Sequence, residues 1–293
     1  SRASTIFPDM VGDFAGRSLL AFFACCGLLE LADRLWPAAE GWFEEEKQNF
    51  YIACERPLSD LLAQFSSAQL ESSLTDEELT RLGSLLSANK KLLTNQDQED
   101  KGRLRAMWQQ ERIHLYASPS SASNSSGFDL WLDWWRDSKG DRTALKTWAA
   151  KQMVSEMARK MFIIVHKQIE SEDDLPLFFE SNDDSLPFNF DSDLCRTGAA
   201  RDAGFSADAL GIKSIYRPLL ELLAFIAFQR FQPAETEGGF IYCAWSAPLS
   251  PLAAAVAASG LIAPPRDPRY SFTLFNRTKY MKAFLPANSN QGA

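Results

Sequence analysis

SLLAFFACCGLLELADRL, residues 18–35, places apolar side chains on nearly every face of a helical turn. A helix with a single apolar stripe can lie on a surface, but one that is apolar all round must be enclosed by other elements. The stretch therefore predicts a buried helix with Ser18 as its cap. A second helix of this kind is predicted over Tyr216–Phe228, entered through Pro218, whose missing N–H is tolerated in a first turn. Both have the length of core helices, short of the roughly 18 uninterrupted apolar residues that a membrane span needs.

Outward from these two helices the pattern changes repeatedly. Phe50–Cys54, Ile113–Tyr116, Phe188–Phe190 and Phe240–Trp245 predict short strands, and Tyr270–Leu285 a strand or strand pair. FDLWLDWW, residues 128–135, alternates Phe128, Leu130, Leu132 and Trp134 against Asp129, Trp131, Asp133 and Trp135, a strand with two loaded faces. Amphipathic helices are predicted over Leu58–Leu70, over Asp76–Leu93 with Thr75 and Glu78 in capping-box spacing, and over Thr147–Ile169. The second carries its apolar stripe on Leu79, Leu82, Leu86 and Leu93. Pro251–Ser259 reads as an alanine-rich helix ended by Gly260. Glu40–Phe50 reads as a charged loop, Asn95–Gly102 as a polar turn, and SPSSASNSSG (118–127) as a loop or disordered linker.

Because helices and strands do not alternate, the expected fold class is α+β: an antiparallel sheet with several amphipathic and buried helices, and no doubly wound core. The expected organisation is a mostly helical part over 1–117, the serine-rich loop over 118–127, and an α+β part over 128–293 packed on the first, with one continuous domain as the alternative.

The 293 residues are 46% hydrophobic and 23% charged, with a mean hydropathy of -0.21, ordinary values for a globular chain. Residues 1–17 carry Asp9 and Asp13 where a secretory signal is basic, so a cytoplasmic protein is expected. Five cysteines without CxxC spacing point to reduced thiols, and His114 and His166 are too far apart for a helical zinc pair. The net charge of -8 argues at first sight against a nucleic-acid partner. Yet residues 37–100 hold 13 acids and 5 bases, 101–169 hold 6 and 12, 170–193 hold 9 and none, and 194–293 hold 6 and 10. So partitioned a chain can present an acidic face and a basic face together.

No phosphate-binding glycine loop, HExxH or GxSxG is present, which removes the commonest enzyme classes and leaves no cofactor to expect. Asp173 with Asp174, or Asp183 with Asp184, could hold Mg²⁺ in a metal-dependent nuclease, though acidic runs are usually a solvated surface. Vicinal Cys25 and Cys26 read as small buried residues. Two basic groups remain. Arg266, Arg269, Arg277, Lys279 and Lys282 are interleaved with Tyr270, Phe272, Phe275, Tyr280 and Phe284; bases of this kind can contact phosphates while aromatic rings stack on nucleobases. An edge strand kept soluble by its charges has the same composition. Lys101, Arg103, Arg105 and Arg112, with Arg136, Lys139, Arg142 and Lys146, bracket the serine-rich loop.

The segments FFACCGLLELADRLWP (22–37) with GWF (41–43), FDLWLDWW with LKTWAAKQ (145–152), PFNFDSD (187–193) with GFSADALG (204–211), RPLLELLAFIAFQRFQP (217–233), AWSAPLSPLAAAVAASGL (244–261) and FNRTKYMKAFLPA (275–287) resemble, in this order, the small Cas-type large-subunit protein of type I-G (formerly I-U) CRISPR Cascade complexes. These are motifs of packing rather than of catalysis, so the resemblance is carried by their order along most of the chain.

The resemblance implies a non-enzymatic subunit of an antiviral surveillance ribonucleoprotein, partnered by other Cascade subunits, guide RNA, target double-stranded DNA and a nuclease-helicase, with no membrane role. Such a subunit binds target DNA, reads the PAM, stabilises the opened duplex and helps recruit the nuclease-helicase, while base pairing supplies the long-range specificity. The alternative is an assembly subunit that contacts only the guide RNA end and neighbouring subunits. The candidate nucleic-acid-binding residues, drawn from the basic groups, are Asn276, Arg277, Lys279 and Lys282, with Arg136, Lys139 and Arg142.

Overall fold

A computed structural model describes residues 2–6, 18–44, 49–136, 143–149, 151–171, 181–182, 185–192, 215–262, 264–276 and 282–289. In chain order the elements are β1 (Arg2–Ile6), α1 (Leu19–Leu35), β2 (Glu40–Glu44), β3 (Asn49–Cys54), α2 (Leu58–Ser66), β4 (Gln69–Ser72), α3 (Asp76–Ser87), α4 (Asn95–Gln109), β5 (Ile113–Ala117) and β6 (Phe128–Leu132). Then follow α5 (Val154–Ser171), α6 (Pro218–Ala227), β7 (Ala234–Thr236), β8 (Gly239–Cys243), α7 (Pro251–Ala258), β9 (Arg269–Phe272), β10 (Leu274–Asn276), β11 (Lys282–Phe284) and β12 (Asn288–Ser289). The fold is α+β and its strand pairs are antiparallel, in sheets ordered β1-β3-β2, β4-β5-β6, β12-β9-β8-β7 and β10-β11. Among the described residues no helix is long and apolar enough to cross a membrane.

The two expected buried helices pack on each other. Only Asp33 and Arg34 of α1 are more than marginally exposed, and every residue of α6 is buried. Enclosing each Leu or Phe in this way is worth about 1.5–3 kcal/mol. Their axes approach closely because Gly27 has no side chain: a Cβ there would stand 2.2 Å from the Leu223 carbonyl oxygen. Around α1, Phe22 stacks on Phe43 and packs at a tilt on Tyr242, and Trp245 meets Phe43 edge-on while its Nε1 donates to the Gly41 carbonyl at 2.6 Å. Around α6, Phe225 stacks on Trp135 and Phe188, and Trp134 Nε1 donates to the Phe225 carbonyl at 2.8 Å. One continuous buried cluster holds residues from Leu19 to Phe284. A smaller one, made of Leu74, Leu79, Leu82, Leu85, Leu104 and Met153, lies under α3 and α4.

Several expectations change. Glu40–Glu44 is a strand, because Gly41, Trp42 and Phe43 pair with Ile52, Tyr51 and Phe50 across β3. The helix after Leu58 stops at Ser66, and Gln69–Ser72 becomes a strand that pairs with β5. Asn95–Gly102 opens α4 rather than forming a turn: Thr94 and Asp97 make a reciprocal capping box that satisfies the first N–H groups of a polar helix. β6 ends at Leu132, since the N–H groups of Asp133 and Trp134 donate to the Gln229 side chain at 2.9 and 3.1 Å. Phe188–Phe190 is no strand; its N–H groups turn inward to Glu221, with Asn189 at φ 66°. The long helix begins at Val154 rather than Thr147.

The serine-rich segment is an ordered, partly buried loop. Ser120 and Ser125 pair across it, Trp36 Nε1 donates to the Ser123 carbonyl, and Gln64 bonds both the Ser123 and Ser125 hydroxyls. Cys25, Cys26, Cys54 and Cys243 are buried free thiols; burial pushes the first two well above the usual thiol range. Cys195 and the pairs Asp173/Asp174 and Asp183/Asp184 lie outside the described residues.

Candidate nucleic-acid interface

On the inner side of the β4-β5-β6 sheet, Ile113, Leu115 and Ala117 of β5 and Phe128, Leu130 and Leu132 of β6 are buried. Strand alternation sends His114, Tyr116, Asp129 and Trp131 to the opposite, solvent-facing side. The antiparallel register sets His114 opposite Trp131 and Glu71, and Tyr116 opposite Asp129 and Gln69. Cross-strand partners stand close enough for rings to stack. The His114 and Trp131 rings are 4.2 Å apart and 2° from parallel, those of His114 and Tyr116 4.4 Å and 26°, and the Arg112 guanidinium lies 4.8 Å from the Trp131 ring centre. Arg112, Trp131, His114 and Tyr116 thus form one stacked ladder, in which the large apolar Trp131 is 41% exposed.

Polar groups hold the ladder in place. His114 Nε2 is 3.0 Å from Asp129 Oδ1. The Tyr116 hydroxyl lies 2.6 Å from Gln69 Oε1 and 3.0 Å from Glu71 Oε1; its bond to the Glu71 carboxylate holds the phenol above its usual range. Arg112 is 3.4 Å from Asp133, which also accepts from Arg136 at 2.7 Å. Burial would raise the Asp133 carboxyl, but hydrogen bonds from Gln229 and Arg136 and the charges of Arg136 and Arg112 outweigh it and leave the carboxyl below its usual range. The ladder therefore combines planar rings with both cations and carboxylates. Such a surface suits stacking and hydrogen bonding to base edges more than a run of phosphates.

The candidate residues chosen from sequence divide between two places. Arg136 follows β6 beside the ladder, its guanidinium committed to Asp133 and to Gln110 Oε1 at 2.9 Å. Asn276 ends β10 and pairs in register with Lys282 of β11, a half-buried residue whose N–H donates to the Thr147 carbonyl. Arg277, Lys279, Lys139 and Arg142 lie outside the described residues. Of the basic group that brackets the serine-rich loop, Lys101 is spent on the Leu85 carbonyl at 2.7 Å, whereas Arg103 and Arg105 are exposed on α4. His114, Tyr116 and Trp131 are not among the candidates drawn from the basic groups. Their signal was present in the alternation of IHLYA and FDLWL, but they form one surface only once those strands pair across a ten-residue loop.

Among the described residues no group of three or more His, Cys, Asp or Glu side chains could hold a metal ion. Comparison of the chain with known protein families, curated proteins and solved structures found no match.

Proposed function

We propose that the chain is the nucleic-acid-binding, non-catalytic large subunit of a type I-G Cascade surveillance complex, which engages target DNA beside the PAM and steadies the opened duplex. The observation that carries this reading is the solvent-facing ladder of Arg112, Trp131, His114 and Tyr116. One of its four members, Trp131, stands on FDLWLDWW, one of the segments through which the sequence resembles that family. Exposed aromatic rings flanked by arginine are costly to leave in water and are the groups on which unpaired bases stack.

The test is made on the complex assembled with its neighbouring subunits and guide RNA. Duplexes carrying a correct or a scrambled PAM are titrated at several salt concentrations. The intact complex is expected to prefer the correct PAM at fixed salt, and Trp131→Ala to weaken binding about tenfold, the worth of one stacked base. Arg277→Glu with Lys279→Glu is expected to weaken both duplexes and flatten the salt dependence. Affinity that ignores both the PAM and these substitutions would overturn the reading.

One feature favours assembly as a second role. Residues 238–265 contain no charged side chain, and Leu252, Val256, Leu261 and Ile262 in that stretch are each at least half exposed. An uncharged apolar surface of this kind suits contact with a protein neighbour. If it is the only interface, Leu252→Asp with Val256→Asp should block entry into the complex while Trp131→Ala leaves DNA binding unchanged.

A further inference from the structure

At the Tyr116 end of the ladder lies a pocket of about 430 Å³ between α1, β5, β6 and the two ends of the serine-rich loop. The volume is within the roughly 300–1,000 Å³ of small-ligand sites. Tyr116 supplies an aromatic ring, Pro119 an apolar edge, Ser118 and Ser126 hydroxyls, and Arg34 and Asp129 a donor and an acceptor of opposite charge. Arg34 donates from Nε to Glu30 and from Nη1 to the Asp129 carbonyl, and Asp129 uses Oδ1 on His114. Among the described residues Arg34 Nη2 and Asp129 Oδ2 make no hydrogen bond, so a donor group and an acceptor oxygen remain for a ligand. The loop is held in place: the Ser126 N–H donates to the Leu35 carbonyl at 2.9 Å, Ser123 and Ser125 are tied to Gln64, and Ser120 pairs with Ser125 across it.

Charge selects the occupant. Arg34 shares buried Glu30 with Arg230, and the Asp129 carboxylate also lines the pocket, so two cations are matched by two carboxylates and no excess positive charge is left to draw in a phosphate. A neutral, planar heterocycle with donors and acceptors on its edge satisfies all of these groups together: its face on Tyr116, its edge on Arg34, Asp129 and the serines. We infer that the pocket receives a single unpaired nucleobase, which stacks on Tyr116 and continues the Arg112–Trp131–His114–Tyr116 ladder. The inference rests on the nucleic-acid-binding reading and adds that an unpaired strand, not duplex, is what this face holds. The strand could be displaced DNA or free guide RNA, which present the same base chemistry.

The test uses the full chain and short labelled oligonucleotides of one sequence, as single-stranded DNA, single-stranded RNA and duplex DNA, with 2-aminopurine at successive positions. One position in a single strand is expected to be quenched on binding, and replacing that base by an abasic spacer to weaken binding about tenfold. Tyr116→Leu and the pocket-filling Ser126→Trp should each abolish the quench and cost about the same factor, whereas Tyr116→Phe, which keeps the ring, should retain both. A response confined to DNA assigns the base to the target's displaced strand, and one confined to RNA assigns it to the guide. Single strands bound equally well by wild type, Tyr116→Leu and Ser126→Trp would overturn the pocket while leaving the broader reading intact. A chain and complex that bind neither single strands nor duplex would overturn both.

Discussion

Glu221 is fully buried on α6, and its carboxyl accepts N–H donors from Phe188 at 2.5 Å, Phe190 at 2.9 Å and Asp191 at 3.2 Å. Beside it Arg217 and Asp191 form a buried two-pronged ion pair, both bonds 2.7 Å. Three donors favour the carboxylate, but burial and the negative charge of Asp191 outweigh them and push Glu221 up to about 8. An acid whose pKa is raised by folding binds an extra proton in the native state between its unfolded value, near 4.5, and its folded one. The associated stability is therefore full below about pH 4.5 and is lost as the pH rises towards 8, on the order of 1 kcal/mol per pH unit. Burial raises Glu111 too, adding to the same trend. Glu221→Gln removes the titration and sets an amide N–H₂ against a backbone donor. Urea melts from pH 5 to 9 are expected to show a less stable variant with a flatter pH dependence. Parallel curves would mean that Glu221 is ionised throughout. Nothing in the local sequence marks this residue, because its partners lie about 30 positions away.

Among the elements, α1 and α4 place glycine in opposite circumstances. In α1 a Cβ at Gly27 would press on the Leu223 backbone oxygen, and backbone cannot move aside without parting the two central helices. In α4 a Cβ at Gly102 would meet nothing within 4 Å. Gly27→Ala is expected to cost about 3 kcal/mol or more in chemical denaturation, and Gly102→Ala to add about 0.5–1 kcal/mol through helix propensity. Equal effects would show that the helices are not in backbone contact. Elements with strong periodicity or caps were legible: α1 from its all-round apolar pattern, the start of α3 from its capping box, α6 from Pro218 and its apolar run, α7 from Pro251 and Gly260; α3 nevertheless ends at Ser87 rather than Leu93, and its buried stripe runs through Leu85 rather than Leu86. Elements made by pairing were not. β2 and β4 exist because β3 and β5 offer unpaired edges, and their own composition reads as loop or helix end.

For the whole molecule, the serine-rich segment divides the chain without dividing the core. Leu19–Trp36 packs on Leu219–Phe231, and β5 pairs with β6 across the loop. Fragments 1–122 and 123–293 are expected to lack cooperative unfolding alone and to regain near-UV circular dichroism when mixed; a fragment that melts cooperatively by itself would locate an independent domain. The net charge of -8 proves a poor guide to surface chemistry, since the ladder sits where Arg112, Arg136, Asp129 and Asp133 largely offset one another. The sequence by itself determined the α+β class, the two buried helices and the burial of Cys25 and Cys26 within the first of them, because apolar periodicity and end signals are local properties of the chain. Only the tertiary structure decided that a serine tract is pinned rather than free, that Glu221 anchors the Phe188–Asp191 turn, and that Trp131, His114 and Tyr116 form one stack. Strand register and side-chain burial arise from partners distant in sequence, and no local pattern encodes which strand will lie beside which.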